Sequence, residues 1–354
     1  MNLYKSLIFI LYLGIFLGSG FRTPAQSRDS ITLYGTLDTV QVIRQRIQHA
    51  NEANAGARVT HISPAILQAN KTRSLAELLT DHTSIYIKSL GTGALSTASF
   101  RGTSASQTRV NWNGINITPP LSGTFDFSQI PVFFTDNINL YYGSSHVKNG
   151  TGAIGGSVNL FTDTDWNRGV NGRVLAEYGS YNTYTVGGQA NISGNKSASK
   201  TRLYYQHSDN DYTYLNKVLT NIPFREKRQD AAYSQFGIMQ EGYFRVSPYT
   251  RLTAVAWYQK NHRNLPQPLG VVNRSQEDQE ENNFRGYAGL DFSRGIHELH
   301  VKAAWLYFCQ TYDIRYDGGL FDPKGNKNRS NTAQVVADYT YSPTDKLILN
   351  TTLT

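Results

Sequence analysis

The sequence predicts a small α/β unit followed by antiparallel strands of a transmembrane β-barrel. Three observations predict it. An apolar run near the N-terminus marks export from the cytoplasm. Residues 58–165 mix helix and strand signals on the scale of one small core. Residues 166–354 alternate apolar and polar side chains, segment after segment.

Taken in order, Lys5 supplies a positive start, and residues 7–17 (LIFILYLGIFL) form an apolar run of 11 residues, too short to span a bilayer comfortably. Thr23-Pro24-Ala25 ahead of Gln26 provides a cleavage site. Residues 1–25 are therefore expected to be a signal peptide, with a short membrane anchor as the alternative. Residues 26–57 read as a polar linker carrying one short extended segment, Leu37-Asp38-Thr39-Val40-Gln41-Val42.

In the α/β unit, residues 58–62 read as a strand. Ser63-Pro64 reads as the N-cap and first residue of a short helix over 64–69. Ser74 and Glu77 have capping-box spacing ahead of Leu78-Leu79. Strands follow near 85–88, 99–101, 108–112 and 137–141, and Asn113-Gly114 signals a tight turn. Residues 149–160 (NGTGAIGGSVNL) set Gly150, Gly152, Gly155 and Gly156 in a turn that runs into an alternating strand. The stretch Gly150–Gly155 fits a dinucleotide-binding glycine pattern literally. That pattern needs a helix after it, and Ser157-Val158-Asn159-Leu160-Phe161 reads as strand.

In the C-terminal region, Leu203, Tyr205 and His207 oppose Arg202, Tyr204, Gln206 and Ser208. Leu299, Val301, Ala303, Trp305 and Tyr307 oppose Glu298, His300, Lys302, Ala304 and Leu306. Val335, Ala337, Tyr339 and Tyr341 oppose Gln334, Val336, Asp338 and Thr340. One apolar-aromatic face and one mixed face suit strands set between lipid and lumen. Tight turns are expected near 179–180, 247–248, 293–295 and 342–343, and long polar loops at 209–230, 260–281 and 314–331. Roughly nine strands do not close a barrel of even strand number. The expectation is the front part of a longer protein, forming an open, curved sheet with exposed edges.

Composition agrees, with 23 Tyr, 16 Phe, 4 Trp and 30 Gly and a mean hydropathy of −0.43. The net charge of +8 is spread out, without the dense patch that nucleic-acid binding needs. The single cysteine, Cys309, cannot form an intramolecular disulfide. No nucleophile–base spacing, carboxylate pair or metal motif points to an enzyme, and His207, His262 and His297 lack metal-ligand spacing.

The order of signal, extended segment, α/β unit and barrel strands resembles TonB-dependent outer-membrane receptors from about Leu37 onward. Residues 99–102 (SFRG), 110–114 (VNWNG) and the glycine turn over 143–160, which begins at Gly143, carry the resemblance. The α/β unit would be the receptor's plug, most like those of cobalamin and siderophore receptors. Ser144-Ser145 and Asn113 depart from the family's usual Pro-Arg and Asp.

The resemblance implies uptake of a large, scarce solute, energised by an inner-membrane-anchored TonB-type transducer. That partner would pair by strand addition with a Ton box at Asp38, Thr39, Val40, Gln41 and Val42, plain linker being the alternative. Arg101-Gly102 would lock plug to barrel, with Glu177 as a candidate carboxylate; a surface strand end is the alternative. Ligand contacts are expected at the apices 91–98 and 119–124, with Leu95, Ser96, Pro120 and Leu121, and at Tyr212 and Tyr214. Asp209 and Asp211 offer two carboxylates toward calcium, with a solvated turn as the alternative. No other cofactor is implied. A passive porin or structural outer-membrane protein is the competing reading.

Overall fold

Serine caps set the two helices at the start of the α/β unit. Ser63 accepts from the Ile66 N–H, with Pro64 opening α1 (Pro64–Ala69). Ser74 and Glu77 cap each other's backbone donors at the start of α2 (Leu75–His82), a complete capping box. The apolar face of α2, with Leu75, Leu78 and Leu79, is buried in the core. The computed structural model describes residues 58–143, 153–218, 223–269, 275–316, 324–344 and 347–353. The expected signal peptide, the linker with residues 38–42, and Gly150 and Gly152 lie outside the described residues.

The unit's strands are β1 (Arg58–His61), β2 (Tyr86–Ser89), β3 (Ser96–Ser99), β4 (Thr108–Trp112), β5 (Ile115–Asn116), β6 (Asn137–Tyr142) and β7 (Gly156–Phe161). β2 and β3 form a separate hairpin, and the others make a five-stranded sheet ordered β1-β6-β7-β4-β5. Within it β4 and β7 are parallel. Asn113 and Gly114, with φ of 50° and 85°, make the predicted turn between β4 and β5. The glycine segment leads into strand β7, so the helix that a dinucleotide site requires is not there. A side chain at Gly156 would fall 2.5 Å from the Tyr141 carbonyl and 2.8 Å from the Phe100 ring, so the strand can enter only as glycine.

One local expectation fails. The strand placed at 99–101 ends at Ser99, and Arg101 and Gly102 turn away with φ of 48° and 79°. Their polar side chain and small size read equally well as strand end or turn.

Nine antiparallel strands form the wall, in the order β18-β17-β16-β15-β14-β13-β10-β9-β8. They are β8 (Gly169–Gly179), β9 (Thr183–Ser193), β10 (Ser197–Ser208), β13 (Tyr233–Ser247), β14 (Thr250–Asn264), β15 (Ser275–Arg294), β16 (His297–Tyr316), β17 (Lys324–Thr344) and β18 (Leu347–Leu353). A small hairpin, β11 (Thr213–Asn216) with β12 (Phe224–Lys227), sits between β10 and β13. Among the described residues β8 and β18 do not pair, so the sheet stays open.

The alternation reads out as expected. Arg202 and Tyr204 are wholly buried against the α/β unit, while Leu203 and Tyr205 are 48% and 38% exposed on the other face. Val174, Ile238, Phe244, Leu252, Trp305 and Val335 continue that outer apolar face.

Three loop expectations are corrected. Most of 260–281 and 314–331 is strand, because β15, β16 and β17 run for 20, 20 and 21 residues. Polar side chains on both faces mimic a loop, yet the ladder to neighbouring strands holds them extended. Likewise 209–230 contains the β11–β12 hairpin. The turn after Gly179 also lies at the end of the long connections, where the Asp209 N–H donates to the Tyr181 carbonyl. At the opposite end, the Gly194 N–H donates to the Ser197 carbonyl and closes a tight turn that the sequence reading omitted.

Candidate functional site

The seam between the α/β unit and the wall carries charges that sequence reasoning left unassigned. Asp136 follows a short 3-10 turn, Val132–Phe134, and enters the β6 edge through its N–H to the Phe161 carbonyl. The Arg202 guanidinium reaches its carboxylate, and Lys200 Nζ lies 3.0 Å from it. Arg202 also faces Glu241 at 3.4 Å, and both side chains are 0% exposed. The Tyr243 hydroxyl donates to Glu241 at 2.7 Å. Burial pushes the Asp136 carboxyl up, but Arg202 and Lys200, aided by the Asp163 N–H, outweigh it and hold it at about 2. Lys71 Nζ fixes the same turn through the Thr135 carbonyl at 2.5 Å, and burial lowers its pKa to about 8.

Nearer the long connections the contacts are polar. Arg263 pairs with Asp126 at 2.7 Å. Asn261 donates to the Gln129 side chain at 3.0 Å, Gln259 to the Gln129 carbonyl, and Gln235 to the Ser128 carbonyl at 2.9 Å. On the far side, Gln334 and the main chain of Asn116 exchange two hydrogen bonds, at 3.2 and 2.7 Å. There a cavity of about 300 Å³ opens between residues 116–123 and strands β15–β17. A second, of about 180 Å³, has Leu95 and Pro119 on one side and Arg263, Glu281 and Arg285 on the other.

The residues singled out from sequence fall in different places. Arg101 and Gly102 are exposed, and the Arg101 guanidinium lies 5.8 Å from the Tyr142 ring centre. Glu177 is exposed on β8, so the Arg101–Glu177 pairing is not made here. The Gly143 N–H donates to the Gly155 carbonyl at 2.9 Å. Leu95, Pro120 and Leu121 are exposed in loops.

Ser96 does not join them. It is 2% exposed, with its N–H given to Asp126 and its hydroxyl to Ser89. Tyr212 and Tyr214 lie in one row with Tyr181, with ring centres 6.2 and 6.4 Å apart. Asp209 engages His207 and Asn182, while Asp211 pairs with Lys227 at 2.6 Å, so the two carboxylates do not converge. Among the described residues no group of three or more His, Cys, Asp or Glu could hold a metal ion.

The signal for the missed residues was present: Lys200, Arg202 and Glu241 are charges on the inward face of strands whose other face is apolar.

An α/β unit seated against the inner face of a wall with an apolar exterior defines a plugged, membrane-spanning β-protein. Residues 51–157 match the family model of the TonB-dependent Receptor Plug Domain. Over residues 51–157 the chain is thus similar to a TonB-dependent receptor plug, and a nine-stranded antiparallel sheet follows it among the described residues. The vitamin B12 transporter BtuB of Photobacterium profundum is 32% identical over 135 residues, covering 38% of this chain and 22% of that transporter. The FrpB iron transporter from Neisseria meningitidis has the same fold with a TM-score of 0.66 and 12% identity, over 84% of this chain and 48% of that one. The ferric-catecholate import receptor Fiu from E. coli K12 gives a TM-score of 0.62 and 12% identity, over 82% and 47%. The alignments therefore span about a fifth of the curated relative and about half of the structural ones.

Proposed function

We propose that this chain belongs to an outer-membrane receptor that imports a large, scarce solute, cobalamin or a ferric siderophore, with energy from an inner-membrane-anchored TonB-type transducer. The observation that carries this reading is the plug packed on the inner face of a wall whose outer face is apolar. Such a wall suits lipid outside, and such a plug makes passive flow through the lumen unfavourable. The named relatives, a vitamin B12 transporter and iron importers, support the same class of cargo. Ligand would be met by the apices bearing Leu95, Pro120 and Leu121 and by the outer row with Tyr212 and Tyr214. Asp38, Thr39, Val40, Gln41 and Val42 would offer the extended strand for the transducer, through main-chain hydrogen bonds.

The test is binding and uptake of labelled cobalamin by cells expressing the whole gene, with and without Val40→Pro. Proline removes a donor and breaks strand pairing. The expected result is binding retained and uptake lost. Undiminished uptake in the variant would favour a passive pore and remove this segment from the coupling role. No cobalamin binding would direct the same assay to ferric siderophores.

A further inference from the structure

The plug's hold on the wall is uneven. Across three wall strands, Gly187 of β9, Tyr204 of β10 and Gly237 of β13 stand in register, a small–large–small row facing the plug. Phe133 and Phe134 straddle Tyr204, with ring centres 5.8 and 6.1 Å away. Each phenylalanine uses one glycine as a socket. A Cβ at Gly237 would fall 2.6 Å from the Phe134 ring, and one at Gly187 would fall 3.3 Å from the Phe133 ring. Two residues on, Asp136 is clamped by Arg202 and Lys200. Trp112 extends the hold, packing on Trp257 and Tyr287 at 5.4 and 5.3 Å. Interlocked rings lose their close packing on release and expose apolar surface to water, so release on this side is unfavourable.

The other side differs in kind. Along β16 and β17 the plug is held by Gln334 on the Asn116 main chain and by Lys302 Nζ on the Asn113 carbonyl at 2.5 Å. Water can replace hydrogen bonds of this kind. The cavity of about 300 Å³ lies there, with Ser106, Asn116, Thr118, Asn283, Ser330 and Thr332 among its lining.

We propose that Phe133, Phe134 and Asp136 form a fixed anchor of the plug on strands β9–β13, and that solute passes on the opposite seam, between residues 115–123 and strands β16–β17. This rests on the reading of the chain as an energised importer. Anchoring on one side lets the plug yield on the other without leaving the barrel. The polar lining suits a hydrated solute.

The test uses two matched tethers in the full receptor, with Cys309→Ser removing the native thiol. One pair is Ser128→Cys with Gln235→Cys, on the anchored side. The other is Asn116→Cys with Gln334→Cys. Each pair replaces a glutamine that reaches a main-chain carbonyl, at 2.9 and 2.7 Å, so one short, reducible bis-thiosulfonate linker serves both. Uptake of the labelled solute is measured for each protein before and after reduction. The expected result is unchanged uptake with the first tether and reversible loss with the second. Loss with the first tether would overturn the anchor, and unimpeded uptake with the second would overturn the assigned passage. Absence of energised uptake in the reduced, untethered proteins would instead overturn the importer reading, and the proposal with it.

Discussion

In the plug, apolar side chains converge on a common centre, with Leu78, Leu79, Val110, Leu140 and Val158 all 0% exposed. In the wall the order is reversed. Arg202 and Leu203 are neighbours on one strand, yet the cation is wholly buried and the leucine is 48% exposed. The plug is organised as a water-soluble domain is, around its own core. The wall turns an apolar side outward and, on the inner face that meets the plug, sets buried charges such as Arg202 beside aromatic rings such as Tyr204 and Trp257. The difference teaches that the two parts are stabilised by separate means and meet through specific contacts. A burial rule taken from one part misreads the other.

Arg202→Leu breaks the comparison hardest. By the rule for soluble cores it would be benign. Here it leaves Glu241 buried without a cation and Asp136 with Lys200 alone, which costs about 3–5 kcal/mol. Thermal melting of the detergent-purified protein, together with protease protection of the plug, should register the loss. An unchanged melting point would remove the ion cluster from any role in docking.

The reciprocal change, Leu203→Arg, places a charge on the outer face. Near the bilayer midplane it should cost about 2–4 kcal/mol, falling toward zero at the interfaces. The fraction refolded into lipid vesicles across a urea series measures it. Equal refolding of Leu203→Arg and the parent would argue that this face does not meet hydrocarbon.

Acid should sharpen the comparison by loosening the seam. Asp136 is held at about 2, below the ordinary 3.8, so its contribution is present above pH 4 and lost as pH falls from about 4 to 2. The effect is about 2 kcal/mol. Tryptophan fluorescence, with Trp112 and Trp257 in contact across the seam, should follow the transition. Asp136→Asn should remove that step from the titration, and its persistence in this variant would assign the step to another group.

Much of the local structure was legible because its causes are local. Ser63 and Ser74 cap helices through atoms three residues away. Asn113-Gly114 turns because asparagine and glycine tolerate positive φ. Leu203 and Tyr205 face out because strand side chains alternate. The long strand extensions were hidden, since residues such as Glu277, Asp278 and Glu280 carry no apolar alternation and only pairing with β14 and β16 keeps them extended. Ser96 was misplaced as a ligand contact because its buried partners, Asp126 and Ser89, come from other parts of the plug.

The sequence by itself determined a small α/β unit and a run of strands with one apolar face; each follows from composition or from a period of a few residues. Only the tertiary structure decided which charges meet. Asp136 and Arg202 are far apart in sequence, as are Phe134 and Gly237, and no local pattern links them. Their pairing depends on the register of β9, β10 and β13 and on how the 3-10 turn presents Phe133 and Phe134 to that row. A one-residue slip in any of those strands would turn Tyr204 or a glycine socket outward and leave the plug without its seat.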